Sequence, residues 1–155
     1  MDCGKIILEK LSQRICEYFS IHLDLHIQSH YQIKSVERIH FSNATALISL
    51  TDSANKATIA MSVSNLFVQL MLVRFLNGNL PNADLIELSH ENLAETLNIT
   101  LGNIIEDLPP KCGEINISTP YLMNNQIIIH KREFAQMYIS ELKIGEERIL
   151  ISYFN

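Results

Sequence analysis

Glu95 and Asn98 are the two residues whose types and spacing offer the most chemistry in this chain. Glu91, Glu95, Asn98 and Gly102 recur at steps of four, three and four residues, which places them on one side of a helix. A carboxylate accepts hydrogen bonds and pairs with cations, whereas a carboxamide both donates and accepts while staying uncharged. Projecting from the same side, the two could enter a neighbouring molecule's reaction centre together.

Most polar stripes of this kind are simply solvated faces. Two residues argue for more here. Asn98 and Gly102 are poor choices for an exposed helix interior, glycine costing roughly 1 kcal/mol relative to alanine. A face selected only for solubility would carry Glu, Lys or Gln. Glycine instead removes bulk, as would suit a partner that comes close to the helix.

The helix that must hold these residues is marked by its apolar side. Leu93, Leu97, Leu101, Ile104 and Leu108 follow the same spacing and fall within about 80° of one another, so they face the core. Asp84 with Glu87 suggests a capping box, Ser89 offers a start one turn later, and Pro109-Pro110 ends the helix. Upstream, residues 5–19 read as an amphipathic helix and 21–27 as a half-buried strand by alternation, a helical continuation remaining open there. Strands at 31–41, 44–51 and 55–63 form an expected antiparallel meander. Ser64 caps a second helix that stops at Asn77-Gly78. Strands follow at 114–120, 126–130, 134–142 and 147–154, with turns at Asn124-Asn125 and Gly145.

Strands grouped between helices, without regular βαβ alternation, predict an α+β fold: an antiparallel-rich sheet with long helices packed on one face. At 155 residues, 47% apolar and 19% charged, the chain is expected to form a single domain over 1–155. A net charge of −5 without a basic run disfavours nucleic acid. No apolar stretch is long enough for a membrane span, and the absence of a secretory signal pattern predicts a cytoplasmic protein. Cys3, Cys16 and Cys112, an odd number without a CxxC pair, are expected as reduced thiols.

Other chemistry is thinner. His22, Asp24 and His26 would share one face of the predicted strand, but no fourth ligand accompanies them, so an exposed polar face is expected rather than a metal site. His90 and His130 have no nucleophile pattern beside them. The five glycines are scattered and make no phosphate loop.

The segment Glu95-Thr96-Leu97-Asn98-Ile99-Thr100-Leu101-Gly102-Asn103 resembles the E-x-x-N-x-x-x-G-N signature of the CheC/CheX family of chemotaxis phosphatases. Pro120 lies close to the place of that signature's later proline. The strand pair before the second helix, the Asn77-Gly78 loop and the paired terminal strands extend the likeness over residues 5–154. It is closer to CheX than to CheC, since one helix alone bears the motif. Two departures stand out: Glu91 occupies a place where the family usually has Asp or Ser, and the span from Asn98 to Pro120 is one residue short.

The resemblance implies an enzyme that binds a phosphorylated CheY-type response regulator and speeds hydrolysis of its phosphoaspartate. It makes Asn98 the residue that orients the attacking water and Glu95 the contact to a lysine in the regulator's active site. Glu91, Gly102 and Asn103 would line the docking face. Magnesium would belong to the regulator, so the chain would need no cofactor of its own. A homodimer formed through a continued sheet is also implied, with strands at 126–154 as candidate edges. Glu91 leaves room for a non-catalytic adaptor that docks the regulator without hydrolysing it.

Overall fold

Two aspartates open the two longest helices. Asp2 caps α1 (Cys3–Leu23), its carboxylate accepting from the Gly4 amide, and Asp84 caps α3 (Leu85–Ile105), accepting from the amides of Ile86 and Glu87. Such side chains satisfy amides that lack a partner in the first turn. Ser64 does the same for α2 (Asn65–Phe75) through the Phe67 amide. The computed structural model describes residues 2–28, 31–133 and 135–155.

The strands are β1 (Lys34–Ser35), β2 (Arg38–Phe41), β3 (Ala44–Thr51), β4 (Lys56–Val63), β5 (Asn116–Ile117), β6 (Tyr121–Met123), β7 (Ile127–His130), β8 (Met137–Ile144) and β9 (Glu147–Phe154). The main sheet runs β1-β8-β9-β4-β3-β5, with β6 also paired to β3, and all of its pairings are antiparallel. Three helices cover one face. Ile7, Leu11, Ile15, Phe19, Phe67 and Met71 meet Ile48, Ile59, Met61 and Ile151 of the sheet in one buried cluster. The expected α+β fold, with helices on one face of an antiparallel sheet, is what forms.

The opposite face carries a feature absent from the sequence reading. β2 and β7 pair into a separate two-stranded ribbon, and Ile39 and Phe41 pack from it onto Leu47, Ala60 and Met137. Residues 31–41 therefore do not join the meander; β1 pairs with β8 and β2 with β7. Local alternation identifies a strand but not a neighbour lying some ninety residues away.

The strand expected at 21–27 is not formed. α1 continues to Leu23, Asp24 adopts the left-handed conformation at φ 51°, and the Leu25 amide returns to the Phe19 carbonyl. This reversal buries Leu23 and Leu25, so the alternation came from a helix end folding back on itself. His22, Asp24 and His26 consequently share no strand face. Among the described residues no group of three His, Cys, Asp or Glu is placed to hold a metal ion.

The expected reduced thiols are likewise corrected. Cys3 and Cys112 form a disulfide with a Cα–Cα distance of 5.6 Å across a sequence separation of 109, leaving Cys16 free. Sequence spacing cannot reveal such a pair, because the fold alone brings the start of α1 to the 3-10 turn Pro110–Cys112. No helix among the described residues is long and apolar enough to cross a membrane.

One glycine in this region is fixed by packing. A Cβ on Gly4 would stand 2.6 Å from a ring carbon of Tyr153, a buried residue of β9. Gly4→Ala is therefore expected to destabilise the fold by about 1–3 kcal/mol, as overpacking does, despite alanine's better helix propensity. Chemical denaturation of the two proteins measures the difference.

Candidate functional site

α3 is held with one side inward and one outward. Leu93, Leu97, Leu101 and Ile104 are buried in the main core, as their spacing requires. Leu108 lies past the last helical residue, half-buried against the same core. The helix stops at Ile105 rather than at the prolines, because the final turn tightens: the Asp107 amide bonds to Ile104 and that of Leu108 to Ile105. Such 3-10 bonds are a common way to satisfy a helix end.

Buried hydroxyls finish the inward side. Thr96 donates to the Asn92 carbonyl at 2.8 Å, and Thr100 to the Thr96 carbonyl at 2.7 Å. These bonds use carbonyls of the same helix, so the threonines are buried without stray polar groups.

On the outward side Glu91, Glu95 and Asn103 are exposed, and Asn98 and Gly102 are partly exposed. The structure thus brings all five together on one surface of α3. Glu87, Glu91 and Glu95 succeed one another at four-residue intervals, and none has a basic partner among the described residues. Like charges at that spacing repel. A cation supplied from outside would relieve the repulsion.

The surroundings include residues that spacing within α3 could not reveal. Tyr18 of α1 is buried beside Thr96 and Glu95: burial raises its phenol pKa most, a hydrogen bond with Thr96 opposes this, and the Glu95 charge raises it further. Ile99, one turn beyond Glu95, is 38% exposed, an apolar side chain beside the polar pair. Its position was visible in the sequence, but only burial shows that the sheet and helices leave it uncovered.

Gly102 has open space above it, since a Cβ there would meet nothing within 4 Å. Nothing inside the chain demands glycine. Gly102→Ala should therefore stabilise the protein by about 0.5–1 kcal/mol through helix propensity, the opposite sign to Gly4→Ala. Thermal unfolding of the two variants side by side checks this contrast.

A concavity of about 490 Å³ lies elsewhere, at the β3–β4 turn and residues Lys111–Glu114. Glu95 and Asn98 thus stand on the outer surface of α3 and line none of the concavities described.

No protein-family model matches the sequence, and no curated protein matches it. Solved structures do. The chemotaxis protein CheX of Vibrio vulnificus superposes with a TM-score of 0.78 at 14% identity, covering 97% of this chain and 99% of that one. The chain has the CheX fold. CheX in the CheX–CheY–BeF3–Mg complex of Borrelia burgdorferi aligns over 99% of this chain and 96% of that one, with a TM-score of 0.66 and 14% identity. The FliM middle domain of H. pylori is more distant, at a TM-score of 0.55 and 10% identity over 96% of this chain and 87% of that one. One fold therefore serves differently named proteins, and function has to be argued from the α3 surface. On this CheX fold the E-x-x-N-x-x-x-G-N segment occupies α3 and points its glutamate outward.

Proposed function

We propose that the chain is a phosphatase for a phosphorylated CheY-type response regulator, inserting Glu95 and Asn98 from α3 into the regulator's active site. The observation that carries this reading is the outward surface of α3. Its carboxylates have no cation of their own among the described residues, a carboxamide stands one turn away, and Gly102 leaves room for a close approach.

The chemistry follows from the residue types. Hydrolysis of an acyl phosphate needs water in line with the breaking P–O bond more than it needs a strong base. The Asn98 amide holds that water by donating and accepting, and adds no negative charge near the phosphoryl group. Water oxygen bonds to phosphorus, the aspartyl oxygen departs with the bonding pair as carboxylate, and a water proton is released to phosphate or solvent. Glu95 pairs with a lysine of the regulator and fixes the helix in register. Magnesium would be carried by the regulator and would neutralise the phosphoryl oxygens there, so this chain would need none of its own.

Phosphorylated regulator should lose phosphate faster with this chain present than alone, and release of inorganic phosphate measures it. Equal rates, with binding to the beryllofluoride-activated regulator retained, would establish the adaptor reading that Glu91 leaves open. The proposed setting is the cytoplasm, where such regulators work.

The proposed homodimer has a physical candidate for its seam. β9 lies between β8 and β4 and is no edge, whereas β7, among the described residues, pairs with β2 alone and leaves the consecutive Ile127 and Ile128 exposed at 38% and 52%. Open apolar edges invite pairing with another chain. Ile128→Asp should shift the chain from dimer to monomer in light scattering; an unchanged mass would place the seam elsewhere.

A further inference from the structure

The ribbon side of the molecule holds a cleft that the phosphatase reading does not use. About 260 Å³ in volume, it lies between β2 and the β8–β9 hairpin, with Ile139 and Leu150 among its lining and Arg38, His40, Glu141 and Arg148 around it. No β7 residue lines it, so it opens on the edge of β2 that faces away from β7, its strand partner.

That edge presents backbone groups toward the cleft. The Lys131 amide donates to the Glu37 carbonyl at 2.8 Å, and Arg38 lies opposite His130 and Ile39 opposite Ile129. In an antiparallel ladder the inter-strand bonds are then made by residues 37, 39 and 41, while the amides and carbonyls of Arg38 and His40 point the other way. The next residue in that outward set confirms the direction, since the Ser42 amide donates to the Ser62 hydroxyl at 2.8 Å, and Ser62 lines the same cleft.

The charges around this edge select its occupant. Arg38 has no carboxylate partner among the described residues, and Arg148 reaches Glu141 at only 4.0 Å while 68% exposed. Two guanidinium groups and an imidazole thus face one carboxylate, in a chain whose net charge is −5. A second copy of β2 would bring like charges together, which disfavours self-pairing. An acidic strand meets complementary charge, a half-buried apolar floor and unused ladder groups at once.

We propose that this cleft docks an extended acidic peptide segment of a partner protein, which adds a third strand to the β2–β7 ribbon. Apolar residues at alternate positions of that segment face Ile139 and Leu150, and its carboxylates face Arg38 and Arg148. The proposal is independent of α3 and holds whether or not the chain hydrolyses phosphoaspartate.

Fluorescence anisotropy on the full chain tests it with a labelled hexapeptide of alternating valine and glutamate, against the same peptide with lysine in place of glutamate. The acidic peptide should bind at least about tenfold more tightly. N-methylation of its alternate amides, which removes ladder donors, should weaken binding by a similar factor on the unaltered protein. The paired change Arg38→Glu and Arg148→Glu, at exposed positions, should reverse the preference. Equal binding of both peptides, no binding of the acidic one up to about 1 mM, or indifference to N-methylation would overturn the proposal.

Discussion

If the chain is the phosphatase proposed above, Asn98→Ala is expected to remove the acceleration of regulator dephosphorylation while leaving the protein at least as stable as before. Loss of one group that positions a reactant or stabilises the transition state typically lowers turnover on the order of a hundredfold or more, so the observed rate should fall close to the regulator's own. Stability moves the other way. Asn98 is only partly buried on α3, and alanine is the better helix former by several tenths of a kcal/mol. Opposite signs for activity and stability separate a catalytic role from a structural one. Binding to the beryllofluoride-activated regulator should survive, because Glu95 still supplies its charge. Asn98→Asp sharpens the test: the shape is kept, but a carboxylate beside the phosphoryl group repels it, so this variant should be as slow as alanine. An undiminished rate in Asn98→Ala would remove the catalytic assignment whatever became of docking.

The sequence made α3 legible because local signals agreed there: a capping aspartate at Asp84, a leucine stripe of helical period, and prolines beyond the end. β3, β4 and β9 were equally plain from alternation, and the outward placement of Glu91 and Glu95 followed from the same spacing that buried Leu93 and Leu97. What stayed hidden was non-local. The alternation at 21–27 came from a helix end folding back, which carries the same short-range pattern as a strand. β2 was recognisable as extended, yet nothing in residues 38–41 tells that the partner is β7. Tyr18 comes beside Glu95 only because α1 packs on α3, so spacing along one helix could not include it in the site.

Reduction of the Cys3–Cys112 disulfide is expected to lower stability by about 3–5 kcal/mol, the effect expected when a loop of this length is released. The bond closes a loop across a sequence separation of 109, and the unfolded chain regains most of that lost freedom when it opens. For a chain of this size the corresponding drop in melting temperature is roughly 10 °C. The native fold should nevertheless persist, since the start of α1 is held by other contacts as well: the Tyr138 hydroxyl donates to Asp2, Lys5 lies over the Tyr138 ring, and Gly4 abuts Tyr153. The 3-10 turn at Pro110–Cys112 is then the side that loosens, and hydrogen exchange should rise there before it rises in α1. Cys16 serves as the internal control. Burial, with a smaller contribution from the Glu17 charge, pushes its thiol up to about 11, so little thiolate exists at neutral pH and a thiol reagent should label the oxidised protein only slowly. Two further thiols should react rapidly after reduction and unfolding. In a reducing cytoplasm the bond would be open much of the time, and the reduced protein's stability would then be the operative one. Thermal unfolding of the native chain with and without reductant, beside the Cys3→Ser variant, measures the effect; coincident midpoints for all three would show that the bond contributes nothing to the fold.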